Sequence, residues 1–291
     1  MNRTIKNLFF LVVIVVAAKF LLTIFAKDVS TTHSEKIILG DWTEQEIESL
    51  MEQAALKDIP GSSIEFLSEK FLGTPYAENT LGGKSGETEQ LTVNLSGVDC
   101  FTYIDYVESL RLSRNFWEFR KKLAGIRYKD GSVLWENRRH FFSDWVSGSS
   151  KNVLDVTREI GGGATETVAK ELNRKTDGSL WLPGLATAKR QISYIPSRQI
   201  GPSVLRKIKT GDYLGIYSDK DGLDVSHTGI AVRKDNGVYL RHASSLHGKV
   251  LDEELVSYME NKPGLLVYRA IDYVVNSQLS REGHYSNQGG V

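Results

Sequence analysis

One cysteine, Cys100, stands among 291 residues, and the thiolate a cysteine can form is a strong nucleophile and metal ligand. It lies in Leu95-Ser96-Gly97-Val98-Asp99-Cys100-Phe101-Thr102-Tyr103-Ile104. Gly97 permits a tight turn and Asp99 is a favoured helix N-cap. Phe101, Ile104, Val107 and Leu110 then recur at threes, the apolar stripe of an amphipathic helix. Cys100 is thus expected in a first helical turn, where the partial positive charge of the helix end favours the thiolate. A lone cysteine is more often a small buried hydrophobe, so its chemistry depends on finding a base.

Six histidines are available. His33 falls in a polar linker, His284 in a polar tail and His247 beside Gly248 in a turn, which leaves His140, His227 and His242. In Ser226-His227-Thr228-Gly229-Ile230-Ala231-Val232, strand alternation puts His227, Gly229 and Ala231 on one face. The small neighbours there would leave room for a helix end to approach. His242 ends the next strand. A two-residue Asn236-Gly237 loop would set it opposite Ala231, roughly 13 Å from His227 along the strand at ~3.3 Å per residue. A four-residue loop, Lys234 to Gly237, sets it opposite Gly229, a diagonal neighbour of His227 at roughly 7–8 Å. The second register is the one expected. A thiolate, one imidazole to exchange the proton and a third polar group to fix its tautomer make an acyl-transfer set. A zinc site with water as fourth ligand is the rival use of one thiolate and two imidazoles, but the ligands lack close spacing and no acidic partner is evident. No metal and no cofactor are expected.

The elements that must carry these residues are legible in part. Thr43-Glu44-Gln45-Glu46 is a capping box, followed by Ile47, Leu50, Met51 and Ala54 at helical spacing. Pro60-Gly61-Ser62-Ser63 turns into a second helix, Ile64 to Phe71, which Gly73-Thr74-Pro75-Tyr76 ends. Leu91 to Leu95 alternates as a short strand leading to Cys100, and Phe116, Phe119, Leu123 and Ile126 predict a helix after it. Asp130-Gly131 is a hairpin-type turn. Arg139-His140-Phe141-Phe142-Ser143-Asp144-Trp145 reads either as a helix packing its aromatics or as the wall of a binding cleft. Residues 147–200 resist assignment, and Gly161-Gly162-Gly163 lacks a phosphate-binding spacing. From Asp212 the pattern turns to strands: Tyr213 to Tyr217, Thr228 to Arg233, Val238 to His242 and Leu265 to Arg269.

Composition narrows the setting. Apolar residues at 41% and charged residues at 25% are ordinary for a globular chain. Thirty-six basic residues balance 36 acidic ones, so no global field recruits nucleic acid. Arg3 and Lys6 precede the apolar run Leu8 to Ala18, the pattern of a secretory signal over residues 1–27. The alternative is an uncleaved membrane anchor, the 19 residues from Leu8 to Ala26 being just long enough to span. Residues 28–40 read as linker, 41–272 as the body and 273–291 as a tail. Either way the body is expected to be exported, where an unpaired thiol risks oxidation and invites a chemical explanation.

Taken together, Val93-Asn94-Leu95-Ser96-Gly97-Val98-Asp99-Cys100, His140-Phe141-Phe142-Ser143-Asp144-Trp145, Tyr194-Ile195-Pro196, Gly222-Leu223-Asp224-Val225-Ser226-His227 and Arg241-His242-Ala243-Ser244 resemble the N-acetylmuramoyl-L-alanine amidase-like family of the NlpC-type papain-like cysteine peptidases. The resemblance runs from about residue 45 to 271. It implies an α+β papain-like fold, an antiparallel sheet packed on the helix that carries the cysteine at its N-terminus. It implies Cys100 as nucleophile, His227 as base and His242 as its orienting partner. Tyr76, Asp99, His140, Trp145, Asp224 and Ser226 follow as substrate-binding residues, with peptidoglycan or muropeptide fragments as the partner in the periplasm. The implied bond is the amide between the lactyl group of N-acetylmuramic acid and L-alanine. One departure stands out: Phe101-Thr102 follows the cysteine where the superfamily often has Ser-Gly. The alternatives are a γ-D-glutamyl-diamino acid endopeptidase and a non-catalytic wall-binding protein.

Overall fold

The computed structural model describes residues 34–148 and 152–271. The export segment expected over residues 1–27 and the tail over 273–291 lie outside the described residues. Among those described, no helix is long and apolar enough to cross a membrane. The first half of the described chain carries the helices α1 (Glu44–Ala55), α2 (Pro60–Glu69), α3 (Cys100–Arg111) and α4 (Phe116–Arg127). The capping box at Thr43 and Glu46 is formed, with both reciprocal bonds made. Helix α2 begins four residues earlier than the apolar pattern, because Pro60 occupies its first turn, where a missing N–H is harmless.

Among the described residues, ten strands accompany them. β1 (Glu35–Ile38) pairs in parallel with β2 (Leu91–Asn94), so part of the stretch expected as linker is ordered strand. β3 (Val153–Asp155), β4 (Glu166–Leu172), β5 (Ala188–Pro196), β6 (Tyr213–Tyr217), β7 (Val225–Lys234), β8 (Gly237–Ser244), β9 (Lys249–Glu254) and β10 (Gly264–Ala270) build an antiparallel sheet in the order β4-β5-β10-β6-β7-β8-β9, with β3 also on β10. Residues 147–200, unassigned from pattern, thus supply three strands. β4 pairs along its full length with Ala188–Tyr194 of β5 as a long arm.

Alternation along the sheet separates two cores. Tyr213, Ile230, Ala243, Leu266 and Tyr268 pack with helices α1 to α4 on one face. Leu214, Ile216, Ala231, Leu240, Leu265 and Val267 form the other core with the short helix Leu255–Met259. Helix α3 is buried on nearly every side, so its few charges need partners inside. Arg127 of α4 bonds Asp105 at 2.9 Å and the carbonyl of Thr92 at 2.6 Å, each of the two charged side chains being 1% exposed. Tyr213 donates to Glu108 at 2.7 Å, and Arg111 bridges the same carboxylate. These contacts tie α3 to α4, to β2 and to the sheet, and so fix where Cys100 stands.

Removing one partner of a buried pair strands the other charge. Asp105→Ala is therefore expected to lower the unfolding free energy by about 3–5 kcal/mol. Denaturant titration measures it, and a loss below about 1 kcal/mol would contradict the role given to this pair.

Candidate functional site

Asp99 is the N-cap of α3 and Cys100 its first residue. The Oδ1 atom of Asp99 accepts from the backbone N–H groups of Phe101 at 3.0 Å and Thr102 at 2.7 Å, and from the Thr102 hydroxyl at 2.9 Å. Thr102 Oγ1 in turn accepts from the Asp99 N–H at 3.0 Å. The departure at Phe101-Thr102 thus has a local cause. Thr102 closes the capping box, and the ring of Phe101 meets Trp145 edge to face at 6.3 Å. The cap bonds engage the second and third N–H groups of the helix and not that of Cys100.

Cys100 is half-buried and unpaired. Burial pushes its thiol up to about 11 and the charge of Asp99 adds to the rise, while the backbone of Thr228 opposes it. Desolvation and the adjacent carboxylate thus work against the thiolate that the helix end was expected to favour. At neutral pH the resting sulfur is a thiol.

The β7–β8 ladder pairs Arg233 with Val238 and ends at Ile230 opposite Arg241. That is the register that brings His242 level with Gly229. The chain reverses through Asp235 and Asn236 alone, since Lys234 and Gly237 still pair. A Cβ on Gly229 would lie 2.9 Å from the Cβ of His242 and 2.6 Å from Leu240, so the glycine is what lets the neighbouring strand close in. Helix α3 does not approach on the histidine face, contrary to expectation. It packs on the opposite face, where the Thr228 hydroxyl donates to the Cys100 carbonyl at 2.8 Å. Thr228 is the residue that joins the helix start to the histidine strand.

His227 and His242 face the second core, their rings 6.2 and 5.1 Å from that of Tyr258. Nε2 of His227 is 2.7 Å from Nδ1 of His242, and Nε2 of His242 is 2.7 Å from the carboxylate of Glu253. A carboxylate can only accept, so His242 carries its proton on Nε2 and presents a lone pair at Nδ1. His227 must then donate from Nε2, which leaves Nδ1 of His227 as an unprotonated acceptor. Burial holds both rings neutral, His227 down to about 3, with His242 and Lys262 adding to the shift. A thiolate at Cys100 would be felt by Tyr258 and Tyr76 alike; burial is the larger cause in each, and both phenols are pushed up to about 12. Neither imidazole hydrogen-bonds the sulfur among the described residues, and a base of this kind often tightens onto its nucleophile only when substrate is bound.

The six residues expected to bind substrate separate. Tyr76 stands beside the thiol, its backbone held by the Gly248 carbonyl at 2.9 Å and bridged to Val98. Asp99 and His140 line one cavity of about 520 Å³. Trp145 is buried against Phe101, Phe142 and Tyr213 and belongs to the core. Asp224 is fully buried, accepting from the N–H groups of Ser143 and Val225 at 2.7 Å each. It pins the aromatic segment to β7, so neither of these two faces a ligand. Ser226 is exposed, and its hydroxyl reaches the Ile216 carbonyl at 3.4 Å. The His140–Trp145 motif is thus mostly architecture, ending in a single turn at Phe142–Trp145. Glu253, Thr228 and Tyr258 escaped the sequence reading. The His247-Gly248 turn could have announced β9 and, with it, a glutamate diagonal to His242. No group of three or more His, Cys, Asp or Glu side chains among the described residues is arranged to hold a metal ion.

A cysteine at a helix start packed on the antiparallel sheet, and a carboxylate–histidine–histidine file on three strands of that sheet, are the chemically capable groups this fold holds. The N-acetylmuramoyl-L-alanine amidase-like family model matches residues 66–265, and the chain belongs to that family. No curated protein matches it. A Legionella pneumophila crystal structure is similar in fold at 24% identity, with a TM-score of 0.66, over 79% of this chain and 94% of that one. An N-acetylmuramoyl-L-alanine amidase from Bacteroides uniformis is 26% identical, with a TM-score of 0.60, over 73% of this chain and 99% of that one.

The lowered imidazoles make a stability prediction. A histidine whose folded value lies below its unfolded value of about 6.5 stabilises the fold fully above that pH and loses the contribution as pH falls towards the folded value. Stability should therefore drop between about pH 6.5 and 3, and His227→Phe should flatten that part of the profile. Identical slopes for the two proteins in chemical denaturation would refute it.

Proposed function

We propose that the protein is an exported, cysteine-dependent peptidoglycan amidase with a papain-like active site, cleaving the bond between the lactyl group of N-acetylmuramic acid and L-alanine. The observation that carries the mechanism is the Glu253–His242–His227 file, which leaves one ring nitrogen free to accept a proton. Membership of the amidase-like family supports the substrate class. The apolar segment Leu8 to Ala26 supports export, as a cleaved signal or as a tether to the membrane.

The resting pair is a neutral thiol and a neutral imidazole, so the proton moves as the bond forms. The thiol proton passes to Nδ1 of His227 while the sulfur attacks the lactyl carbonyl. The resulting imidazolium is stabilised through His242 by Glu253 and gives its proton to the departing amine of L-alanine. Water then attacks the thioester, losing a proton to the same nitrogen, and the thiol leaves with that proton to restore the resting state. The N–H of Cys100 at the helix start is one donor for the developing oxyanion, and the phenol of Tyr76 is suited to be the second.

Incubating the protein with defined muropeptides and weighing the fragments tests the assignment. A sugar freed of L-alanine is expected. Cleavage between γ-D-glutamate and the diamino acid would instead favour an endopeptidase, and no cleavage with no electrophile labelling of Cys100 would favour a wall-binding protein. Glu253→Leu should lower kcat by about 100-fold with little change in KM, because His227 then adopts the wrong tautomer part of the time. A change confined to KM would remove Glu253 from the mechanism.

A further inference from the structure

The helical period that buries Phe116, Phe119, Leu123 and Ile126 of α4 turns Trp117, Lys121 and Lys122 outward. Trp117 is 55% exposed, although an indole gains more than most side chains by leaving water. The ammonium of Lys121 lies 3.8 Å from the centre of its ring, a cation–π contact. An open cavity of about 540 Å³ runs along this face, lined by Arg114, Trp117, Lys121, Lys122 and Gly125 among others. The face is held firmly. Asn115 caps α4 by accepting from the Glu118 N–H at 2.9 Å, and the Phe116 N–H donates to Glu48 at 2.9 Å.

Its charge is positive, although the chain as a whole is balanced. Arg114 is answered by Glu118 at 2.8 Å, and Arg120 by Glu35 at the start of β1. Among the described residues, neither Lys121 nor Lys122 forms an ion pair. Two cations therefore stand in excess around an exposed indole. Ile37 and Ile38, two and three residues beyond Glu35, are exposed aliphatics.

The Arg120–Glu35 contact also says where this face lies along the chain. Glu35 follows the apolar segment Leu8 to Ala26 by nine residues, which reach at most roughly 32 Å when fully extended. If that segment is a tether, the start of β1 and the α4 face beside it are confined to the neighbourhood of the bilayer. Effective concentration then favours even a weak contact with lipid.

We infer that the outer face of α4 docks on an anionic phospholipid bilayer, with Trp117 in the headgroup layer and Lys121 and Lys122 on lipid phosphates. The inference goes beyond the amidase reading and rests on residues 1–27 acting as a membrane tether. The chemistry fits this occupant. An indole prefers the boundary between headgroups and acyl chains, and lysines bury their stems there while their charges meet phosphate. A second copy of the same face would bring like charges together. An anionic polymer would satisfy the lysines and leave Trp117 and both isoleucines in water.

The test places the full chain in lipid nanodiscs with brominated acyl chains, one set of phosphatidylcholine alone and one with phosphatidylglycerol added. Bromine quenches an indole that enters the interface, and residues 1–27 contain no tryptophan. Emission should fall in the phosphatidylglycerol discs alone, and Trp117→Phe should remove that quenching. Each lysine is worth about fivefold in partition onto an anionic surface, so Lys121→Glu with Lys122→Glu should weaken docking by at least about 25-fold. Raising salt to about 1 M, where the Debye length is ~3 Å, should release the face and leave the tether in place. Both variants should cut soluble muropeptides at the parent's rate, and the quenching result stands whether or not any muropeptide is cut. Equal emission in the two discs, or quenching that survives the double variant, overturns the proposal. So does binding of polygalacturonate through the two lysines while the discs leave Trp117 unquenched, which would assign the face to a wall polymer. If the full chain does not enter phosphatidylcholine discs, the tether reading fails, and sedimentation with vesicles of the two compositions decides docking by itself. Pelleting with phosphatidylglycerol vesicles that the double variant loses supports it, and no such pelleting overturns it.

Discussion

Three side chains in file, Glu253, His242 and His227, admit one arrangement of two protons. The carboxylate accepts, each ring passes a donor forward, and the last nitrogen is left bare. Two neutral imidazoles in contact at 2.7 Å cannot both present lone pairs to each other. The second strand of the hairpin, the glycine that lets it close in and the third strand that supplies the glutamate all serve this one constraint. A different register would leave the rings apart.

The rest of the molecule fixes where the sulfur stands on the opposite layer. Helix α3 comes up against the sheet face carrying Thr228, and the hydroxyl of that residue fastens the helix start through the Cys100 carbonyl. Deeper in, Glu108 meets Tyr213 and Asp105 meets Arg127, so the helix can neither slide nor turn without stranding a buried charge. The thiol is half-buried, with a carboxylate beside it, and is therefore kept protonated at rest. Such a sulfur resists oxidation better than a standing thiolate, which suits the exported setting proposed for a chain with one unpaired cysteine.

Much of the site was legible because local rules dominate there. Asp99 before an apolar stripe located the helix start, and period-two alternation located β6, β7, β8 and β10. Hairpin arithmetic chose the register that brings His242 level with Gly229, the residue two beyond His227. What alternation could not decide was which face the helix would take. Gly229 and Ala231 beside His227 looked open because they are small, yet the space over Gly229 is filled by Leu240 and His242 from the next strand. Trp145 and Asp224 looked functional because aromatic and acidic residues clustered. Burial shows that a carboxylate accepting two backbone N–H groups and an indole against three aromatic rings are holding a loop to a strand. The β4–β5 arm was illegible because half its residues face solvent and its turn contains a buried asparagine at φ +74°, a feature visible only in three dimensions.

The central claim is covalent, and it can be weighed. Rapid acid quenching of the protein during muropeptide turnover, followed by intact-mass and peptide mapping, should find the muramyl acyl group on Cys100 as a thioester and nothing on the Cys100→Ala protein. Turnover with Cys100 unmodified, or an adduct carrying the stem peptide in place of the sugar, would contradict the account.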